Sequence, residues 1–475
     1  MTAPAQPRAD QALGNVHRGH IFDVQGSPSL AEARHHLRSF PDGALVVSPA
    51  GAIEWVGLLS LLPAEFEQWP VTGHRGDVIL PGFVDAHMHF PQTYSTDAFG
   101  GGHLLDWLDT CVFPAESRLE DARFAERIAR DFTRRRAAAG TTSALVFGSA
   151  FTHAQDALFA ATERSGLRLV SGRGIQTVGP PSANALLTSE DAALALASDE
   201  ISRWHAVDTG DPATALLQVA LVPRFSLSVT PTTLAGMGEL YDSVRDQGVY
   251  FHTHLSETVS EIAAVKAVFD TDSYLDTYDG RFLPGSVRGG ASLLGRRSIF
   301  AHSVHSETRE LERLAESGSS IAHCPTSQQF LGSGTLPWKR TTDFGVTVAL
   351  GSDVGAGDEW LMSRVLNDAF KVHLSAAGDA ALSIHPAEML FTATLAGARA
   401  LDMEDRFGNF DQGKDADFLV IEPDRWEPLA QVLEHGIRAD DAERATEQTL
   451  FSLLMALREP AITGVFVRGR QVTPD

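Results

Sequence analysis

Cysteine, basic clusters and long apolar runs are what this chain of 475 residues has little of. Its two cysteines, Cys111 and Cys324, stand far apart in sequence, which excludes a disulfide framework and a zinc site built on a Cys-x-x-Cys pair. Any bound metal therefore rests on histidines and carboxylates. Lysine and arginine total 38 against 61 acidic residues, a net charge of −23, with no dense basic stretch to serve as a nucleic-acid footprint. A small, uncharged or weakly charged ligand fits this balance, and the acidity itself reads as solubility. No run of roughly eighteen uncharged apolar residues occurs, so no membrane partner is expected. The opening "MTAPAQPRADQALGNVHRGH" lacks the basic-then-apolar order of a secretion signal, and a cytoplasmic location is expected.

What is there is a repeating alternation. Eight apolar, β-branched runs punctuated by helical patterns lie between about Val78 and Ala400, from "VILPGFVDAHMH" through "TTSALVFG", "LRLVSGRGIQ", "LQVALVPRFS", "VYFHTHLSE", "SIFAHSVH" and "SSIAHCP" to "VTVALGSDVG". Eight such units predict an α/β fold, a (β/α)8 TIM-like barrel. Between the first two runs, "RFAERIARDFTRRRAAAG" has helical spacing and a glycine stop at Gly140. Both termini instead carry short strand patterns, such as "GALVVSPAGAIEWVG", a hairpin across Pro49 and Gly51, and "KDADFLVIEP" with "GVFVRGRQVTP". The expected organisation is a barrel over 78–400 and a small β-sandwich domain assembled from 1–77 and 401–475.

Polar residues gather where the runs end, and in a barrel those C-terminal ends form the rim that holds active sites. Strand side chains alternate faces, so His87 and His89 point the same way, with α-carbons roughly 6.6 Å apart at about 3.3 Å per residue. The run "HTHLSE" offers His252, His254 and Glu257. His254, nearer the rim, is the expected third imidazole for zinc or iron, and His252 is expected to pack or hydrogen-bond deeper in. Asp353 in "LGSDVGAG" can complete the ligand set or hold a water, and His302 in "AHSVH" is either a fourth imidazole or a neighbour of the ion. Glu257 is placed to move a proton. Only Lys266, Lys339, Lys371 and Lys414 occur, and the fourth run ends "VPRFS", so no lysine is available there to bridge two ions and one ion is expected.

With these residues assembled, the sequence resembles the amidohydrolase superfamily, and within it the guanine deaminases, from about Ile79 to Val472. The motifs that carry the likeness are "PGFVDAHMHFPQ", "PRF", "HTHLSE", "AHSVH", "SSIAHCPTS", "LGSGTL", "LGSDVGAG" and "GNFDQGKDADFLVIEP". Two motifs depart from it: Gln328 and Gln329 follow "CPTS" where Asn is commoner, and Ser352 stands where Thr is commoner. His323 is expected in the pocket wall or core. The resemblance implies one zinc ion, with iron the alternative, held by His87, His89, His254 and Asp353 with His302 close by. It implies a purine held by His89, Gln92, Arg224, Phe225, Glu257 and Asp353, where Arg224 donates to the O6 and N7 acceptors of guanine and Phe225 packs on the ring. It further implies attack of activated water at C2, with Glu257 protonating the adjacent ring nitrogen and Asp353 with His302 handling the water proton, to give xanthine and ammonia in a homodimeric enzyme. A related aminated heterocycle (a pterin, a modified guanine or an aminotriazine) is the alternative substrate, and a barrel that binds without catalysis is the alternative class.

Overall fold

A computed structural model describes residues 13–96, 98, 104–282, 290–376 and 382–473; the first twelve residues of the opening segment lie outside it. Four strands precede the barrel: β1 (Asn15–Val24), β2 (Leu37–Val47), β3 (Ile53–Leu58) and β4 (Val71–Pro81). The barrel follows as β5 (Phe83–His89), β6 (Thr141–Phe147), β7 (Arg168–Gly172), β8 (Gly174–Ile175), β9 (Leu217–Pro223), β10 (Tyr250–Leu255), β11 (Ser298–His302), β12 (Ser320–His323) and β13 (Thr347–Leu350). Three strands close the chain: β14 (Phe418–Ile421), β15 (Ile462–Val467) and β16 (Arg470–Gln471).

The barrel strands pair in parallel in the order β5-β6-β7-β9-β10-β11-β12-β13, with the two-residue β8 on β9. Each of the eight expected runs supplies one staved position, the third also supplying β8. Backbone bonds from Asp353 N to His87 O and from His89 N to Val354 O, both 2.8 Å, draw the last and first staves together. The helix Ala122–Ala138 connects β5 to β6, started by the Asp121 side chain accepting from the amides of Arg123 and Phe124. It stops before Gly140, whose φ of +75° is one that glycine adopts without strain.

The terminal strands form one sheet, β16-β15-β14-β4-β1-β2-β3. It curls until Ala52 bridges Asp415, so that Ile21, Leu45, Ile53, Ile79 and Phe418 share one apolar cluster. The sandwich anticipated from sequence is thus a single sheet facing itself. The run expected as one strand from Val78 to His89 is two, divided at Gly82. Val78–Pro81 pairs with β14 and β1, whereas Phe83–His89 enters the barrel. A Cβ at position 82 would lie 2.2 Å from Thr142 Oγ1, so the crossing between sheets requires glycine. The tail also holds two helices that its strand patterns did not announce, Glu427–His435 and Ala442–Ala456; Leu450, Leu453 and Leu454 bury against the barrel's outer helices. Arg168 fastens sheet to barrel, its buried guanidinium bonding Asp417 at 2.7 Å and Asp415 beside it. Among the described residues no helix is long and apolar enough to cross a membrane.

Candidate active site

Parallel staves deliver their C-terminal residues to one rim. His87 and His89 end β5, His254 lies near the end of β10, His302 ends β11 and Asp353 follows β13. Asp353 Oδ1 stands 3.1 Å from both His87 Nε2 and His89 Nε2, and Oδ2 stands 3.7 Å from His302 Nε2. His254 Nε2 is 3.3 Å from His89 Nε2. One ligand atom from each of His87, His254, His302 and Asp353 falls within 4.8 Å of the others. His302 and Asp353 hold left-handed backbone, φ +72° and +52°, which costs a side-chain-bearing residue about 1–3 kcal/mol and persists only where surroundings enforce it. Asp85 supplies part of that enforcement: its Oδ1 accepts from the amides of His87 and Ser352, tying β5 to the loop that carries Asp353.

Hydrogen bonds fix which nitrogens carry protons. His254 Nδ1 donates to the Arg224 carbonyl at 2.5 Å, which leaves Nε2 as a lone pair facing the cluster. His252 Nδ1 donates to the Ile299 carbonyl at 2.9 Å, so its Nε2 accepts, at 2.7 Å, the proton on His87 Nδ1. His252, expected to pack or hydrogen-bond deeper in, does the latter and orients His87 from behind. His87 Nε2 is left buried and without a proton, 3.1 Å from a carboxylate oxygen, and makes no hydrogen bond. Two lone-pair atoms so close repel unless a cation lies between them, and neutral imidazoles with one carboxylate suit zinc or iron.

Titration follows the same geometry. Burial pushes His87 down to about 4 against the opposing pull of Asp353, and burial with the neighbouring His87 holds His254 well below its usual value. Burial by itself would raise Asp353, but His87, His89 and His302 together keep its carboxyl well below the usual carboxylate range. Burial, then the Asp353 charge, pushes Glu257 up to about 8, although Ser333 Oγ donates to its Oε1 at 2.8 Å. A carboxyl that keeps its proton near neutrality can serve as an acid.

Beside the cluster lies a cavity whose empty space, open solvent included, is about 400 Å³. His89, His254, Glu257, His302 and Asp353 line it together with Gln92, Arg224 and Phe225, and Trp107, Leu108 and Leu331 add apolar surface. The structure thus gathers His89, Gln92, Arg224, Phe225, His254, Glu257, His302 and Asp353 on one space, with His87 fully buried behind them. Arg224 is also ion-paired with Glu116 at 2.8 Å, and its guanidinium lies over Phe113 and Phe147. His323 belongs to the core, 2.9 Å from His373 and edge-on to Trp338. Gln328 is buried and Gln329 bonds the Pro325 carbonyl; neither reaches the cavity. Sequence reasoning did not find Glu116, whose one signal is a lone acid in the apolar stretch "CVFPAES", or Ser333, inside the noted motif "LGSGTL".

Comparison with known proteins agrees with this geometry. The amidohydrolase family matches residues 78–472. The chain is 35% identical over 465 residues to the guanine deaminase of Escherichia coli, covering 96% of this chain and 97% of that one. It is 39% identical over 447 residues to a probable guanine deaminase of Deinococcus radiodurans, covering 92% and 94%. The crystal structure of guanine deaminase from Bradyrhizobium japonicum superposes with a TM-score of 0.85 at 26% identity, covering 98% of this chain and all of that one. A barrel with this donor set, matched over most of its length, belongs to the amidohydrolase family.

Proposed function

We propose that this chain hydrolyses guanine to xanthine and ammonia, with zinc held by His87, His89, His254 and Asp353 and His302 beside them. One observation carries the reading: the His/Asp cluster and the Gln92, Arg224 and Phe225 side chains meet on a single cavity. The reading takes zinc as the ion, a homodimer as the assembly and purine breakdown in the cytoplasm as the setting, and the His/Asp donor set supports a metal such as zinc.

An ion held there supplies Lewis acidity, which brings the ionisation of a water from far above neutrality to about pH 7. Every other task falls to the chain. Phe225 packs on the purine ring, while Arg224 donates to its carbonyl oxygen and Gln92 accepts from a neighbouring N–H. Asp353, with His302 against Oδ2, takes the proton of the attacking water. Glu257 delivers its proton to the ring nitrogen beside C2, Asp353 passes the water proton to the exocyclic amino group, and the exocyclic C2–N bond breaks to release ammonia as the C2 hydroxyl returns a proton to Glu257 and becomes a carbonyl. Trp107, Leu108 and Leu331 keep bulk water from the reacting edge.

An ultraviolet assay of guanine loss, paired with ammonia release and run with and without a chelator, tests the proposal. Zinc-loaded protein is expected to turn guanine over and chelated protein to stop. Glu257→Gln is expected to keep the ion and lose about 10²–10⁴-fold in kcat. No ammonia from guanine, or a related heterocycle preferred by orders of magnitude, would replace the reading, and unchanged turnover in Glu257→Gln would remove that residue from the mechanism.

A further inference from the structure

Glu116 lies on the short helix Phe113–Ser117, 5% exposed, behind the cavity wall. Its two carboxylate oxygens have separate uses. Oε1 accepts from Gln92 Nε2 and Oε2 accepts from Arg224 Nη1, each at 2.8 Å. Both partners line the cavity, so one carboxylate holds two cavity-lining groups side by side.

An ion-paired carboxylate can only accept, whereas the end of a glutamine side chain has one donor face and one acceptor face. Glu116 takes the donor face of Gln92. Gln92 Oε1 is consequently buried with no partner, a standing demand for an N–H. Gly355 leaves room for that oxygen, since a Cβ there would lie 2.4 Å from it. Arg224, on the other oxygen of Glu116, has only donors to offer.

We propose that Glu116 sets the hydrogen-bond polarity with which the cavity reads its substrate: acceptor at Gln92, donor at Arg224, in adjacent positions. The proposal rests on the guanine reading, because a ring carbonyl next to a ring N–H is the complement of that pair. A 6-aminopurine, with an amino group next to an unprotonated ring nitrogen, presents the reverse order and sets donor against donor and acceptor against acceptor. With a neutral amide at position 116, Gln92 is free to turn over, because its two faces have nearly the same shape. Glu116 touches no substrate atom and is a positioning residue. Were it only a strut for the cavity wall, its loss would weaken every purine alike.

The test uses two purines that lack a 2-amino group, hypoxanthine and adenine, titrated calorimetrically into zinc-loaded wild type and Glu116→Gln. Wild type is expected to bind hypoxanthine at least tenfold more tightly than adenine. Glu116→Gln is expected to shrink that ratio tenfold or more, with guanine KM rising further than kcat falls. Glu116→Asp, still accept-only, is expected to keep the ratio even where both affinities drop. Parallel weakening of both ligands in Glu116→Gln would overturn the proposal, and a wild type indifferent to the two ligands would overturn it without any variant. Wild type that discriminates between them yet releases no ammonia from guanine would overturn the guanine reading and leave the polarity assignment standing.

Discussion

Replacing His252 by phenylalanine isolates the hydrogen bond that orients His87. In the native chain His252 Nε2 accepts the His87 Nδ1 proton at 2.7 Å, so the lone pair of His87 is already on Nε2. Phenylalanine fills much of the same volume but accepts nothing. Without an ion, His87 in the variant can move its proton to Nε2, where Asp353 Oδ1 waits at 3.1 Å, so that no buried donor goes unpaired although Nδ1 is left a bare acceptor. Binding an ion forces the proton back to Nδ1, now facing a hydrocarbon ring. The cost of a buried unpaired donor, at most about 1–3 kcal/mol, therefore falls chiefly on the metal equilibrium. At 1.36 kcal/mol per tenfold, that is a loss of roughly 5- to 150-fold in affinity, the range found when groups behind a metal ligand are removed. Competition against a chelator of known zinc affinity, at fixed pH, measures it. His252→Gln, whose side-chain oxygen can accept from Nδ1, is expected to recover most of the loss. Zinc affinity unchanged within twofold in His252→Phe would refute the reasoning.

Two further predictions concern stability. Glu200 is buried on the helix Glu190–Trp204, accepts one bond from the Arg173 amide at 2.9 Å, and is pushed up to about 7 by burial. The folded chain holds this proton to higher pH than the unfolded chain, so stability falls as pH climbs from about 4.5 through about 7. Glu200→Gln is expected to remove that slope and gain on the order of 3 kcal/mol at pH 8; denaturant midpoints at pH 5.5 and 8 that move in parallel for both proteins would contradict this. At the opposite end of the barrel from the site, Arg168→Met strands the buried carboxylate of Asp417, its partner at 2.7 Å. A loss of roughly 3–5 kcal/mol is expected, seen as a lower melting temperature with guanine kcat/KM unaltered, and a kinetic defect in properly folded variant would mean that this end communicates with the rim.

Much of this fold is legible in the sequence, for identifiable reasons. The eight barrel strands announce themselves because each is apolar in its body and polar at its rim end, and a His-x-His pair shares a face by strand alternation alone. The break at Gly82 was hidden because Ile79–Leu80 and Phe83–Val84 are equally apolar although they serve different sheets. The tail helices were masked by the stronger strand patterns on either side of them. Glu116 was out of reach for another reason: its partners are 24 and 108 residues away. No local period encodes a contact that forms only when a long excursion after β5 folds back over the rim.

Arg224 divides its labour between two parts of one residue: the carbonyl steadies His254, and the guanidinium faces the cavity. The carbonyl belongs to whichever amino acid occupies the position. Point substitutions at 224 can therefore alter which molecule is accepted while the ion keeps its anchor, provided the new side chain still answers the buried carboxylate of Glu116. An insertion or deletion between Pro223 and Phe225 has no such freedom, because it displaces both at once. Tolerance to change of identity and intolerance to change of length are expected at the same place in the chain.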